Sequence, residues 1–228
     1  MIRPANSRAV IWDMDGVICD SGDCHHLAWN RVMARWGIAV SEEVFRSGFG
    51  TRTDAFIRCL VGDMVPEAHI QKIALFKERF FRRIARGHIE PLPGVVPLLG
   101  SLRSAGYRMA LASSAPLANI RLTIHELDIT VFFEAVVSGD DVTDGKPSPQ
   151  IFRLAAQKLG VYPRDCLVIE DAAVGVTAAH RAGMAALAVT NTLSARQLGM
   201  AEKVVGSLTD VNLDDIEAIF EKSKGAGS

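Results

Sequence analysis

The second half of the chain alternates short apolar runs with stretches of helical periodicity, beginning near residue 92. Four of these runs have the length and the flanking turn residues of buried strands. One helix is predicted to begin with Ser148 as its N-cap and Pro149 at the first helical position. Such alternation is typical of an α/β fold with a doubly wound parallel sheet. The predicted strands are Arg108–Ala112, Ala135–Val137, Cys166–Ile169 and Ala185–Val189, and the predicted helices are Pro116–Glu126, Ser148–Leu159 and Ala173–Ala182, the last ending at Gly183.

The segment from residue 19 to residue 91 has helical periodicity and no convincing strand pattern. We therefore predict a Rossmann-like α/β core made of residues 1–18 and 92–228, with residues 19–91 inserted as an α-helical cap domain. A cap inserted directly after the first strand lies over the carboxyl end of that strand, where it can exclude water and select substrates. Its predicted helices are His25–Trp36, Glu42–Phe45, Thr53–Leu60 and Pro66–Ala85.

The first apolar strand ends on two aspartates, Asp13 and Asp15, which are followed at once by Gly16. Carboxylates are costly to desolvate at the end of a buried strand unless they have a partner, and a divalent cation is a suitable one. Two such groups could also divide the work of a nucleophile and a proton carrier. The simpler interpretation is an aspartate-rich turn after an edge strand, so the motif needs support from other strand ends.

Three further strand ends carry polar residues that suit phosphate chemistry. Ser113 precedes a predicted helix N-terminus, where a hydroxyl and free N–H groups can bind an anion. Lys146 lies in a rigid loop that enters a helix, and the acid pair Glu170 and Asp171 follows four apolar residues. Each feature alone is compatible with an ordinary cap or surface residue. Because carboxyl ends of parallel strands share one sheet edge, all of them are expected to meet there.

Composition excludes several classes of function. The 228 residues carry a net charge of −1, which argues against a nucleic-acid-binding surface, and the basic run Lys77 to Arg86 is interpreted as a helix with a solvated basic face. No apolar run is long enough to span a membrane. The four cysteines form no Cys-x-x-Cys pair, which favours reduced thiols and a cytoplasmic location.

The four strand-end motifs, taken in order, resemble those of the haloacid dehalogenase-like (HAD) superfamily. The insertion resembles the helical cap of the subgroup that contains β-phosphoglucomutase and many small sugar-phosphate phosphatases. Trp12 departs from the family pattern, which usually has Phe before the nucleophile, and Gly22 stands where an acidic residue is common. The motifs that carry the resemblance are Asp13-x-Asp15-Gly16, Ser113, Lys146-Pro-x-Pro-x-x-Phe152 and Glu170-Asp-Ala-x-x-Gly175.

The resemblance implies a role for each residue at the sheet edge. Asp13 would form an aspartyl-phosphate, and Asp15 would protonate the leaving oxygen and then activate water or an acceptor hydroxyl. Mg²⁺ would be held by the Asp13 carboxylate, the Asp15 backbone carbonyl and Asp171, with Glu170 as a direct ligand or as a group that supports the ligands. The remaining residues, Ser113 and Lys146, would bind a phosphoryl oxygen and balance its charge.

The resemblance also implies substrate-binding positions. His25, Arg52 and Lys77 of the cap, with Ser113 and Ser114 of the core, match positions on the substrate side of the family. For the three cap residues, an ordinary helix position or a solvated charge stays open as the alternative.

The expected function is that of a Mg²⁺-dependent phosphatase acting on a small phosphorylated metabolite, most naturally a sugar phosphate. The alternative is phosphoryl transfer of the β-phosphoglucomutase type. A metal-free dehalogenase has no need of Asp15 or of the acid pair at Glu170 and Asp171. A binding module on this fold would be expected to have lost Asp13, Asp15 or Lys146, and all three are present. Since a cap that must open leaves little reason for an obligate interface, the protein is expected to be a monomer that binds a small phosphorylated metabolite and neither nucleic acid nor a membrane.

Overall fold

The computed structural model describes residues 8–48, 51–62 and 65–225. Its centre is a six-stranded sheet in the order β3-β2-β1-β4-β5-β6, and every neighbouring pair is parallel. The fold is therefore the predicted α/β fold with a doubly wound sheet. The strands are β1 (Ala9–Trp12), β2 (Arg108–Ala112), β3 (Ala135–Val137), β4 (Cys166–Glu170), β5 (Ala185–Val189) and β6 (Lys203–Val205).

Helices cover both faces of the sheet because β1 alternates its side chains between two apolar layers. Val10 and Trp12 pack into one layer, while Ala9 and Ile11 pack into the other. All four are fully buried, as expected of a central parallel strand. The core helices are α5 (Val95–Ser104), α6 (Leu117–Glu126), α7 (Gln150–Leu159), α8 (Ala173–Ala182), α9 (Ala195–Leu198) and α10 (Leu213–Gly225).

The insertion after β1 is helical, as predicted, and has an apolar core of its own. Trp29, Phe56 and Ile70 are among the buried side chains that hold its helices together. It contains α1 (Gly22–Met33), α2 (Glu42–Gly48), α3 (Thr53–Val61) and α4 (Glu67–Ala85). We propose its boundaries at the predicted positions, since Leu92 N donates to Ile18 O at 2.8 Å and Cys19 forms an antiparallel bridge with Pro91.

Some details of the helix predictions were wrong. Helix α7 begins at Gln150 with Pro149 at the N-cap, one residue later than predicted, and the Ser148 hydroxyl accepts a hydrogen bond from Gln150 N at 3.4 Å. The predicted helix to Trp36 ends at Met33 and continues as a 3₁₀ turn. Within the described ranges, all four cysteines are free, and none of the helices combines the length and apolar character of a membrane span.

Candidate active site

The end of β1 places Asp13 and Asp15 at the carboxyl edge of the sheet. Asp13 N donates to Ile169 O at 3.0 Å, which continues the pairing with β4 one residue beyond the strand. The edge lies between β1 and β4, where the strand order reverses and ligands of open α/β sheets bind. Gly16 turns the chain with φ of +82°, and a Cβ there would lie 1.9 Å from Asp171 Oδ2. Glycine is therefore required both for the turn and for the approach of Asp171.

Lys146 joins the carboxyl ends of β1 and β4. Its Nζ lies 2.5 Å from Asp13 Oδ1 and 2.5 Å from Glu170 Oε1, and its side chain is almost fully buried. The Phe152 ring lies 5.0 Å from the same nitrogen, a cation–π contact supplied by the helix that follows the loop. Burial opposes the charged form, but Asp13 and Glu170 raise the pKa of Lys146, so the ammonium is retained.

The acid pair after β4 is held by backbone and side-chain donors. Glu170 Oε2 accepts from the backbone nitrogens of Asp171 and Ala172, both at 3.0 Å, and the Thr192 hydroxyl donates to Asp171 Oδ2. A Cβ on Gly175 would lie 1.8 Å from Glu170 Oε1, so this glycine leaves the space that Glu170 occupies. The segment from Glu170 to Gly175 and the Thr192 hydroxyl therefore hold the two carboxylates in place by hydrogen bonds and close packing.

Three buried carboxylates form a group that fits a hard divalent cation. Oxygens of Asp13, Glu170 and Asp171 all lie within 4.8 Å of one another. Burial raises the pKa of Asp13 to about 7 against the opposing charge of Lys146, and burial with the Glu170 charge raises the pKa of Asp171 well above its usual range. One ammonium does not balance this much buried negative charge. Oxygen donors with excess negative charge are the set that Mg²⁺ prefers.

Asp15 faces away from that group, toward the cap. Its Oδ1 accepts from Ser21 Oγ at 2.5 Å and lies 3.5 Å from His25 Nε2. Burial opposes ionisation, but the contacts with His25 and Ser21 lower the pKa of Asp15 below its usual value. The surroundings of the two aspartates therefore shift their pKa values in opposite directions, upward for Asp13 and downward for Asp15, although only one residue separates them.

Lys77 supports His25 from the cap helix α4. Its Nζ lies 2.8 Å from His25 Nδ1. Because an ammonium only donates, His25 Nδ1 accepts and the proton of the neutral ring lies on Nε2, the nitrogen that faces Asp15. His25 also stacks on Phe81, with ring centres 3.8 Å apart. Lys77 is only 3 % exposed, so the prediction of a solvated basic face was wrong for this residue.

One cavity between cap and core brings most of the predicted residues together. It is lined by Asp13, Asp15, Ser113 and Ser114 of the core and by cap residues that include His25, Lys77 and Glu78. Ser113 Oγ accepts from Ala115 N at 3.1 Å, which leaves its hydroxyl proton available to a ligand.

Arg52 is placed differently from the other predicted substrate residues. It is not among the residues that line this cavity. Its Nη1 donates to the backbone oxygens of Gly139 at 3.1 Å and Val142 at 2.7 Å, and its Nε donates to Asp54 Oδ1 at 3.0 Å. In this conformation Arg52 therefore joins the cap to the loop that leads to Lys146, and its role in substrate binding stays a prediction.

Several residues of the site were not found from the sequence. Thr192 and Asn191 follow β5, and the polar run after that strand was an available signal of the same kind as the other strand ends. Glu78 and Asn119 lie on helices, where no motif distinguishes them from other polar residues. Ser21 lies just before α1, where its hydroxyl bonds Asp15 instead of capping the helix.

The fold and the site define a class of protein, the capped α/β hydrolases whose acidic residues lie at the carboxyl edge of a parallel sheet. The family model for haloacid dehalogenase-like hydrolases matches residues 7–183, and the chain belongs to that family.

Two similar proteins are named as enzymes of sugar phosphates. Fructose-1-phosphate phosphatase YqaB of Escherichia coli is 34% identical over 185 residues, which cover 79% of this chain and 95% of the relative. β-Phosphoglucomutase of Bacillus subtilis is 30% identical over 223 residues, covering 94% and 96%. The crystal structure of β-phosphoglucomutase from Clostridium difficile superposes with a TM-score of 0.87 at 24% identity, covering 96% and 99%, and supports the fold.

Proposed function

We propose that this protein is a Mg²⁺-dependent phosphatase of small phosphorylated sugars that acts through an aspartyl-phosphate on Asp13. The observation that carries the proposal is the division of labour between the two aspartates. Asp13 contacts Lys146 and the acid pair, whereas Asp15 contacts Ser21 and His25, and both line one cavity. Asp13 thus lies beside the Lys146 ammonium and the carboxylates that would hold a cation, as a nucleophile toward phosphorus requires, and Asp15 lies beside side-chain donors on the cap side, in position to exchange a proton.

In the first step an Asp13 oxygen bonds to phosphorus while the bond to the ester oxygen breaks. The leaving oxygen takes a proton from Asp15, which takes up that proton from solvent as the anionic phosphoryl group enters, because a like charge raises a carboxyl pKa. Ser113 donates to a phosphoryl oxygen, and Lys146 offsets the negative charge that the phosphoryl group brings to Asp13.

In the second step Asp15, now ionised, accepts a proton from water as the water oxygen bonds to phosphorus. The Asp13–phosphorus bond breaks, which releases phosphate and restores the carboxylate. Bound Mg²⁺, held by Asp13, Asp171 and the Asp15 backbone carbonyl with Glu170 beside them, would neutralise charge on the phosphoryl group and keep Asp13 ionised.

The monomeric state and the cytoplasmic location of the protein stay predictions.

A second candidate function is phosphoryl transfer of the β-phosphoglucomutase type. The relative from Bacillus subtilis, which matches nearly the whole chain, favours it. The two functions use the same core residues and differ in whether water or a sugar hydroxyl attacks the aspartyl-phosphate.

Phosphate release from a panel of sugar phosphates, with and without Mg²⁺, tests the proposal. A separate assay measures glucose 6-phosphate formed from β-glucose 1-phosphate with a trace of glucose 1,6-bisphosphate. Mg²⁺-dependent release concentrated on one or two compounds supports the phosphatase. Isomerisation with little release supports the mutase, and neither activity across the panel contradicts both.

A further inference from the structure

Glu78 of α4 lies where the cap meets the core. Its Oε1 accepts from Thr53 Oγ1 at 2.6 Å and from Lys77 Nζ at 2.9 Å, and its Oε2 accepts from Asn119 Nδ2 at 2.5 Å. The side chain is buried. A single carboxylate therefore joins two cap helices, α3 and α4, to the core helix α6.

Both polar atoms of the Asn119 side-chain amide form hydrogen bonds with residues of α4. Its Nδ2 donates to Glu78, while its Oδ1 accepts from Arg82 Nη1 at 2.7 Å, and Glu78 and Arg82 lie one helical turn apart. Asn119 is fully buried. Because its two partners belong to the cap and the amide belongs to the core, these bonds form only when the cap is docked.

Glu78 also supplies the negative charge beside the buried Lys77 ammonium. Burial opposes ionisation of Glu78, but Lys77, His25 and Thr53 hold the pKa of its carboxyl below its usual range. Lys77 Nζ is shared between Glu78 Oε1 and His25 Nδ1, and the Trp29 ring lies 5.0 Å away. A buried charge is costly to desolvate unless a group of opposite charge lies beside it, and Glu78 is that group for Lys77.

We propose that Glu78 is a positioning residue that transmits cap docking to the proton carrier of the reaction. Docking on Asn119 fixes the Glu78 carboxylate, which holds Lys77 against His25 Nδ1, and His25 Nε2–H then orients the Asp15 carboxyl toward the leaving oxygen. Asp15 is thereby aligned only in the closed enzyme. The inference rests on the proposed function, because Glu78 can act on the reaction only if Asp15 is the acid of the first step.

The test compares two substrates of nearly equal shape that need the acid to different extents. The leaving oxygen of phenyl phosphate is more basic than that of p-nitrophenyl phosphate and depends more on protonation. With the Mg²⁺-loaded enzyme, we expect E78Q to lower kcat/KM, which reports the step in which the phenol leaves, by about tenfold or more for phenyl phosphate and by less than about threefold for p-nitrophenyl phosphate. Equal losses on both substrates, or no loss on either, would overturn the proposal.

A charge exchange separates docking from simple damage to the cap. N119D places two carboxylates against each other, whereas in E78Q/N119D the introduced amide donates to the introduced carboxylate, which still accepts from Arg82. Hydrogen–deuterium exchange of α4 and α6 should increase in N119D and return toward the wild-type rate in the double variant. Phenyl phosphate turnover in the double variant should exceed that of either single variant. A double variant that recovers neither contradicts the proposal.

The exchange measurement also distinguishes this inference from the proposed function. It reads docking without turnover, so a wild type that hydrolyses neither aryl phosphate contradicts the function while the docking contact can still be confirmed or refuted. E42Q is the matched control, because Glu42 is an exposed cap carboxylate that pairs with Arg46. We expect E42Q to leave both the exchange rates and the ratio of the two substrates unchanged.

Discussion

The sheet edge and the cap handle buried charge in opposite ways. At the edge, the Lys146 ammonium contacts Asp13 and Glu170, the Asp171 carboxylate lies beside those two, and negative charge is in excess among them. In the cap, the Lys77 ammonium lies next to the Glu78 carboxylate, which has a donor at each oxygen. The buried negative charge of the edge is therefore balanced only when a cation is added. The Glu78 carboxylate of the cap, in contrast, has all these partners within the protein once the cap docks on the core.

The difference between the regions is sharpest at the proposed nucleophile. We expect Asp13→Asn to lower kcat by about 10⁴-fold or more, because the attacking oxygen is lost while the fold keeps its contacts. Phosphate release measured beside a thermal melt separates this loss from unfolding. Substantial residual turnover in a folded variant would rule out the covalent mechanism.

Lys146 tests whether the edge needs its one ammonium. Lys146→Met keeps the length of the side chain but removes the charge aimed at the phosphoryl group, and we expect a loss of about 10²- to 10³-fold in kcat. The control is Lys158→Met, since Lys158 lies on α7 at the surface and contacts Asp141 at 3.8 Å. Similar kinetics for both variants would show that charge at position 146 is not used.

Gly175 tests whether the edge depends on fixed contacts of its acid pair. Gly175→Ala places a methyl group where Glu170 lies, and we expect Mg²⁺ to bind about 10- to 100-fold more weakly, as is usual when a supporting group of a metal site is displaced. Gly100→Ala is the control, because open space surrounds this glycine within α5, and it should raise stability by about 0.5–1 kcal/mol. Titration of Mg²⁺ followed by activity measures the first effect and a thermal melt the second.

The charge excess at the edge predicts how stability depends on pH and metal. Burial raises the pKa of Asp13 to about 7, so the folded state binds this proton more tightly than the unfolded state. The metal-free fold consequently loses stability as the pH rises from the ordinary carboxyl pKa toward that value. Below it the proton competes with metal, and above it the ionised carboxylate needs metal.

We therefore expect Mg²⁺ to raise Tm more at about pH 8 than at about pH 6, by a few degrees at saturating metal. Differential scanning fluorimetry with and without Mg²⁺ measures this shift. Asp171→Asn should reduce the shift at both pH values. An equal shift in the wild type at both pH values would contradict a cation held by Asp13.

The sequence predicted the edge better than the cap for a physical reason. In a parallel sheet, each strand end meets its neighbours at the same edge, so Asp13, Ser113 and Glu170 could be expected together from one-dimensional positions alone. The missed residue Thr192 follows the same rule after β5. Glu78 and Asn119 are 41 residues apart on two helices, and their contact depends on how cap and core dock, which no local pattern encodes.

Element boundaries show the same limit on a smaller scale. Strong apolar runs fixed β2, β3 and β5 at the predicted residues, whereas the short edge strand β6 was not predicted. Ser148 and Pro149 are both common at the start of a helix, so the sequence could not decide which of them is the N-cap. In the structure the N-cap is Pro149, one residue later than predicted.

The two chain crossings between core and cap lie side by side, joined by the Ile18–Leu92 hydrogen bond and the Cys19–Pro91 bridge. Because the chain enters and leaves the cap at neighbouring positions, the whole insertion can be replaced as one unit. A cap from another family member could be spliced in at these two neighbouring junctions without rethreading the sheet. Substrate preference could thus be rewritten by recombination while the phosphoryl-transfer chemistry stays in place.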